Sequence, residues 1–246
     1  MEQKELLRRV ADLSARAAQR GVVTHTAFLT PAERELVRAG RMARAPLFCG
    51  GYDGAEREMA FFLPDWLTED AFAPEEYIAA IEVKTPFASL THRDFLGSVL
   101  GLGVERDAVG DIVTSGEGAY LLLAAELASF VQGQLARVGR AGAQTRIVPL
   151  HDVPQPHYET REVSFTVMSA RLDAVAAGLF GVSRAAAAQA VADGKAALNH
   201  AECLKPDAEV REGDVIALRG KGKARGTQLG GTSRKGRLFV TGELYL

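Results

Sequence analysis

The sequence predicts an α+β protein built in consecutive parts: a helical N-terminal segment with a short strand over 1–70, a β-α-β-β-α-β unit over 71–150, a linker over 151–161, and a C-terminal unit of two helices followed by small strands over 162–246. Three observations carry this. From Tyr77 onward, strand-like apolar runs alternate with helical patterns. The stretch from His151 to Glu159 holds two prolines and little apolar content, which marks a linker. After it, two apolar helical patterns are each closed by a glycine. With 246 residues, 47% of them hydrophobic, the chain can bury a substantial core, and its length fits one to three domains.

In the first segment Leu6, Leu7, Val10 and Leu13 recur at helical spacing, and Gly21 supplies a stop. Thr30 as N-cap, Pro31 at the first helical position and Glu33 three residues after the cap spell a capping box for a second helix, which Gly40 closes. Residues 1–45 thus read as a helical lead-in. Cys49 to Ala55 is turn chemistry, and Glu58 to Leu63 has the aromatic content of a strand.

The central unit reads as strand IAAIEVK, a helix after Thr91 through Leu100, a strand around Asp111 to Thr114, the turn SGEG, strand AYLLLA, a helix through Val138 and strand TRIVPL. That order is the ferredoxin-like split motif, which RNA-recognition modules also use. Such modules stack bases on aromatic residues of their central strands. Here Gly118 to Leu123 offers Tyr120 alone, which argues against base stacking by this sheet.

In the C-terminal unit Leu172, Val175, Ala176 and Leu179 share one helical face, and the helix ends before Gly181. Ser183 caps a second helix, Arg184 to Asp193, stopped by Gly194. Lys195 to Asn199 and Asp214 to Arg219 are extended, with turn chemistry at Arg211, Glu212 and Gly213. Arg171 and Arg184 open the two helices and Lys195 opens the first strand. The three are expected to converge where the pair meets the sheet, making a phosphate-binding face. Ser183, Asn199 and Lys205 join them as candidate RNA contacts. Asp173 and Asp214 are expected to be structural, the first pairing with a nearby arginine and the second in a Gly-Asp turn.

The formal net charge of −2 hides a regional split. From Arg161 to Leu246 there are 13 Lys and Arg against 9 Asp and Glu, net +4, which leaves 16 against 22, net −6, for the rest. Arg219, Lys221, Lys223, Arg225, Arg234, Lys235 and Arg237 form a run with no acidic residue between the first and the last. Seven cations without a counter-charge repel one another unless an anion collects them, so this basic tail is expected to contact RNA as a group.

Arg171-Leu172-Asp173, Ser183-Arg184, Gly194-Lys195, Asn199 and Gly213-Asp214 stand in the order of the S-four RNA-binding domain, which this part of the chain resembles. Upstream, Leu90 to Gly97, Leu100-Gly101-Leu102-Gly103 and Gly110-Asp111-Ile112 resemble the YlmH family. Downstream, Arg219 to Lys223 and Lys235-Gly236-Arg237 are similar to that family's basic tail. The family usually has Asn-Gly where this chain has Asn199-His200, and His tolerates a left-handed backbone better than most residues. The resemblance implies a non-catalytic RNA-binding protein that associates with ribosomal RNA or tRNA. It further implies large ribosomal subunits carrying peptidyl-tRNA as the partner, in rescue of stalled translation, with some members linked to cell division. The alternatives are an RNA-modifying enzyme that uses the C-terminal unit for substrate delivery, and a cell-division adaptor.

Other chemistries find no support. His92-Arg93-Asp94 has the letters of a kinase catalytic loop but lacks its partners, and reads instead as a helix start in which Asp94 pairs back to Thr91. Gly101-Leu102-Gly103 follows a helix, the wrong setting for a dinucleotide fingerprint. The five histidines show no ligand spacing, and Cys49 and Cys203 are read as reduced thiols. No cofactor, metal, small-molecule substrate or membrane partner is expected. The charged N-terminal stretch lacks a signal peptide's apolar run, so the expected location is the cytoplasm.

Overall fold

Helix α1, Gln3–Arg20, buries Leu6, Val10, Ser14 and Ala17 along one stripe and ends at Gly21, whose φ of 64° suits a residue without a Cβ. The computed structural model describes residues 3–86, 90–116, 118–155, 160–199, 201–232 and 236–245. Helix α2, Pro31–Ala39, starts on the capping box: the Glu33 N–H donates to the Thr30 hydroxyl at 3.3 Å, and the Glu33 carboxylate accepts from the Thr30 N–H at 2.8 Å. The N-terminal segment also holds a sheet, of which the sequence announces one strand, the one expected over Glu58 to Leu63. Strands β1 (Thr24–His25), β2 (Leu47–Cys49) and β3 (Met59–Phe62) pair antiparallel in the order β1-β3-β2. β1 and β2, of two and three residues, are too short to show a period of two, so 1–45 reads as helical and Cys49, the last residue of β2, reads as the start of a turn.

The central elements follow as β4 (Ile78–Lys84), α3 (His92–Leu100), β5 (Val109–Ser115), β6 (Gly118–Ala124), α4 (Ala128–Gln134), the small hairpin of β7 (Arg137–Val138) and β8 (Ala141–Gly142), and β9 (Gln144–Val148). The four long strands pair antiparallel in the order β5-β6-β4-β9, the split arrangement expected. Helix α4 stops short of Val138. Leu135 leaves helical geometry at ψ 71°, and Gly139 at φ 58° turns Arg137–Val138 back onto Ala141–Gly142.

Both faces of this sheet are covered. On one, Ile81, Val83, Leu121 and Leu123 pack with Phe95 of α3 and Val131 of α4. On the other, Ile78, Ala80, Leu122 and Val148 pack with Phe28, Met59 and Phe61 of the N-terminal segment. The face on which an RNA-recognition module stacks bases is therefore occupied, over these positions, by the chain's own apolar side chains. Gly110 and Asp111 make the junction. A Cβ at Gly110 would lie 2.6 Å from the Phe28 ring. The Asp111 carboxylate accepts from the Tyr52 hydroxyl at 2.7 Å and from the N–H groups of Glu56 and Arg57 at 2.7 and 3.1 Å, which fixes the turn ahead of β3.

The chain divides into two compact units, Met1–Pro156 and His157–Leu246. Of the expected linker, residues 156–159 lie outside the described residues, and Thr160 already opens a strand. The second unit runs β10 (Thr160–Val167), α5 (Leu172–Phe180), α6 (Arg184–Ala192), β11 (Ala196–Leu198), β12 (Ala201–Glu202), β13 (Val215–Leu218), β14 (Gly222–Thr232) and β15 (Leu238–Tyr245). Its sheet has the order β10-β15-β14-β13-β11-β12, antiparallel throughout. The helix pair covers one face, where Leu172, Val175, Leu179 and Val191 meet Ile216, Ala224 and Val240. Much of the basic run is strand rather than tail. Its glycines weaken the strand signal, and pairing with β13 and β15, with register shifts at Gly226/Gln228 and Leu229/Thr232, overrides that weak propensity.

Candidate nucleic-acid interface

Both helices of the pair begin at an arginine, and both arginines turn onto one carboxylate. Arg171 is the N-cap of α5, Arg184 is the first residue of α6, and Gly181 at φ 63° makes the bend between the helices. The Asp173 side chain, 6% exposed, accepts from Nε and Nη2 of Arg171, both at 3.2 Å, and from Nε and Nη2 of Arg184 at 3.2 and 3.4 Å. Each guanidinium thus engages both carboxylate oxygens. The Arg171 and Arg184 side chains are 41% and 56% exposed, so two cations share one anion and keep their outer surfaces in solvent. That leaves fixed, planar positive charge facing outward, suited to a phosphate.

Burial raises the Asp173 carboxyl, but hydrogen bonds and charge from Arg171 and Arg184 outweigh it and hold the group below the usual carboxylate range. A depressed folded pKa means stability that is fully present above the unfolded value, about 3.9, and is lost as pH falls toward the folded one. We expect Asp173→Asn to cost about 1–2 kcal/mol at neutral pH, at the low end for a broken pair because both arginines can rehydrate. The variant should also flatten the acid limb of the stability curve. Thermal melts of both proteins from about pH 6 to pH 2 check this, and parallel acid limbs would count against the clamp.

The third expected member stands elsewhere. Lys195 lies beyond the other end of α6, about 13 Å along the helix from Arg184, and pairs with Asp193 at 2.9 Å. The structure therefore brings together Arg171 and Arg184 but not Lys195. The Ser183 hydroxyl accepts from the Ala186 N–H at 3.1 Å and serves as the helix cap. Asn199 takes the left-handed φ of 48°, donates from its amide to Asp214 at 2.8 Å and accepts from the Val215 N–H at 2.9 Å. Its side chain is committed to the turn, and Asp214 also accepts from the Arg211 N–H at 2.7 Å. His200, next to it, is outside the described residues.

The remaining cations fall on different surfaces. Lys205, Arg219 and Lys221 are exposed in loops and turns. Ala224 points into the helix-side core, so Lys223 and Arg225 on either side of it face away from the helices; Lys223 sits 5.3 Å over the Tyr245 ring, and Arg225 is opposite Glu243. Arg237, by contrast, donates to the Thr166 carbonyl at 3.3 Å and lines with Arg184 a groove of about 300 Å³. Sequence reading groups Arg237 with the basic run; pairing of β10 with β15 is what carries it to the helix starts. Arg234 and Lys235 lie outside the described residues.

In the first unit, the His92-Arg93-Asp94 segment is a helix start: the N–H and hydroxyl of Thr91 both donate to Asp94 at 2.7 Å. Among the described residues, no group of His, Cys, Asp and Glu could hold a metal ion, and no single helix is long and apolar enough to cross a membrane.

Comparison with known proteins bears on these surfaces. Residues 73–152 match a family described as "Putative RNA-binding domain in YlmH". The chain is 33% identical over 220 residues to the ribosome-associated protein quality control protein P2 of Bacillus subtilis (strain 168), covering 89% of this chain and 86% of that protein. Its fold is similar to that of the cell division protein ylmH from Streptococcus pneumoniae, with a TM-score of 0.54 at 18% identity, over 63% of this chain and 96% of that one.

Proposed function

This chain belongs to the YlmH family, and from that premise we propose that it is a non-catalytic RNA-binding protein of ribosome-associated quality control, acting in the cytoplasm. It binds ribosomal RNA or tRNA on large ribosomal subunits carrying peptidyl-tRNA. The C-terminal unit, as an S-four-type module, makes the main contact. The observation that supports this best is the Arg171–Asp173–Arg184 clamp, which fixes two guanidinium groups at adjacent helix starts in a segment of net charge +4. With the apolar positions of the central sheet covered on both faces, that domain contributes to RNA contact through edges and loops rather than by stacking on strands.

Two expectations test this reading. Affinity for large-subunit RNA or tRNA should fall linearly with salt on logarithmic axes, by about 0.7 to 0.9 per phosphate contact, and the double variant Lys221→Ala, Lys223→Ala should lower that slope by roughly one to two contacts while barely altering preference among RNAs. A salt-independent affinity would remove the electrostatic basis of the proposal. Incubation with RNA, with or without a methyl donor, should leave nucleoside composition unchanged by mass spectrometry; a new modified nucleoside would move the protein to the enzymes.

A further inference from the structure

We propose that the groove between the end of β10 and the helix pair receives one unstacked nucleotide of the bound RNA, its base against the apolar floor and its phosphate between Arg184 and Arg237; this rests on the RNA-binding reading above and names the part of the RNA that the site takes. The groove, about 300 Å³, sits at the lower end of the range for small-ligand pockets, about 300 to 1,000 Å³, which suits one nucleotide and not a duplex. Phe165, Met168 and Val182 supply apolar lining, and Gly178 on α5 has no Cβ to push the Phe165 ring away.

Met168 is 66% exposed at this place. A flexible thioether beside an aromatic ring adapts to flat ligands of differing outline, as a base requires. Thr166 and Ser169, which also line the groove, carry hydroxyl groups that can serve a base edge. The polar lining contains two arginines and no carboxylate, and the nearby Asp173 already accepts from Arg171 and Arg184. An acidic ligand with a planar apolar part matches this combination, and in RNA the bases free to leave a helix are those of loops and bulges. Arg237, tied to the Thr166 carbonyl at 3.3 Å, and Arg184, tied to Asp173, hold their forks in place before a ligand arrives.

The test uses the full-length protein and two RNA hairpins that differ by one bulged 2-aminopurine. The inference predicts about tenfold tighter binding of the bulged hairpin, in line with the cost of removing one base-stacking contact, and a change in 2-aminopurine emission on binding. Met168→Ala should bring the ratio of the two affinities close to one, and Met168→Leu should restore most of it. Since Met168 is largely exposed, both variants are expected to fold, which thermal melting verifies. Equal affinity for the two hairpins with unchanged emission would overturn the nucleotide pocket and leave RNA binding standing; no binding of either hairpin would remove both. A photo-crosslinker at position 168 that captures ribosomal protein instead of RNA would also overturn it.

Discussion

Arg184→Ala combined with Arg237→Ala is expected to lower RNA affinity about a hundredfold at ~0.1 M salt, the largest loss that two substitutions outside the core should produce. Hydrogen bonds to charged groups contribute about 1.5–3 kcal/mol each when a partner is removed, and two such losses combine to that order. The effect on Arg184 also passes through Asp173, because Arg171 then holds the carboxylate without its second fork. The comparison with Arg184→Lys separates geometry from charge. Lysine keeps the positive charge but cannot engage two oxygens in one plane, so affinity should still fall several-fold while the salt slope hardly changes. Fluorescence anisotropy over a salt series reads both quantities, with thermal melts to show that each variant is folded. A folded Arg184→Lys that binds as wild type would mean that the fork at this helix start is not used.

The second large effect concerns stability. Gly178 faces the Phe165 ring across the α5–β10 contact, and an added Cβ would collide with that ring. Gly178→Val should therefore destabilise the C-terminal unit by about 3 kcal/mol, since neither the helix nor the paired strand can yield without disturbing the core around Leu179 and Val240. For a unit of this size that corresponds to a drop in Tm of roughly 12–24 °C. Calorimetry of the full chain should show one transition displaced and the other in place. Two unshifted transitions would mean that β10 does not press on α5 as the structure has it.

Much of the fold was legible because its signals are local. The Thr30–Glu33 capping box, the Ser183 cap and the left-handed glycines at 21, 181 and 194 mark helix ends with chemistry that depends on a few neighbouring residues. The alternation from Tyr77 gave the order of the central strands, and antiparallel pairing follows that order. What was not legible depends on distant partners. β1 and β2 exist because β3 lies between them, and β14 exists because β13 and β15 flank a glycine-rich segment that has little strand preference of its own. The candidate site divides in the same way. Helix-start arginines and the structural roles of Asp173 and Asp214 could be read from local spacing. The separation of Lys195 from the clamp follows from the length of α6, whereas the use of the Asn199 amide inside the turn and the placing of Arg237 beside Arg184 follow from the pairing of β11 with β13 and of β10 with β15, the latter joining residues as many as 85 apart at Thr160 and Tyr245, and were not readable from spacing.

The central claim, that the C-terminal unit makes the main RNA contact, is tested most directly by ultraviolet crosslinking of the full-length protein to large ribosomal subunits carrying peptidyl-tRNA, with the crosslinked peptides identified by mass spectrometry and the RNA by sequencing. The account predicts ribosomal RNA or tRNA attached to peptides from the helix pair around Arg171 and Arg184 and from the segment between Arg219 and Arg237. Crosslinks confined to peptides of Met1–Pro156, or an absence of crosslinked RNA under conditions where the protein stays bound to the subunit, would contradict it.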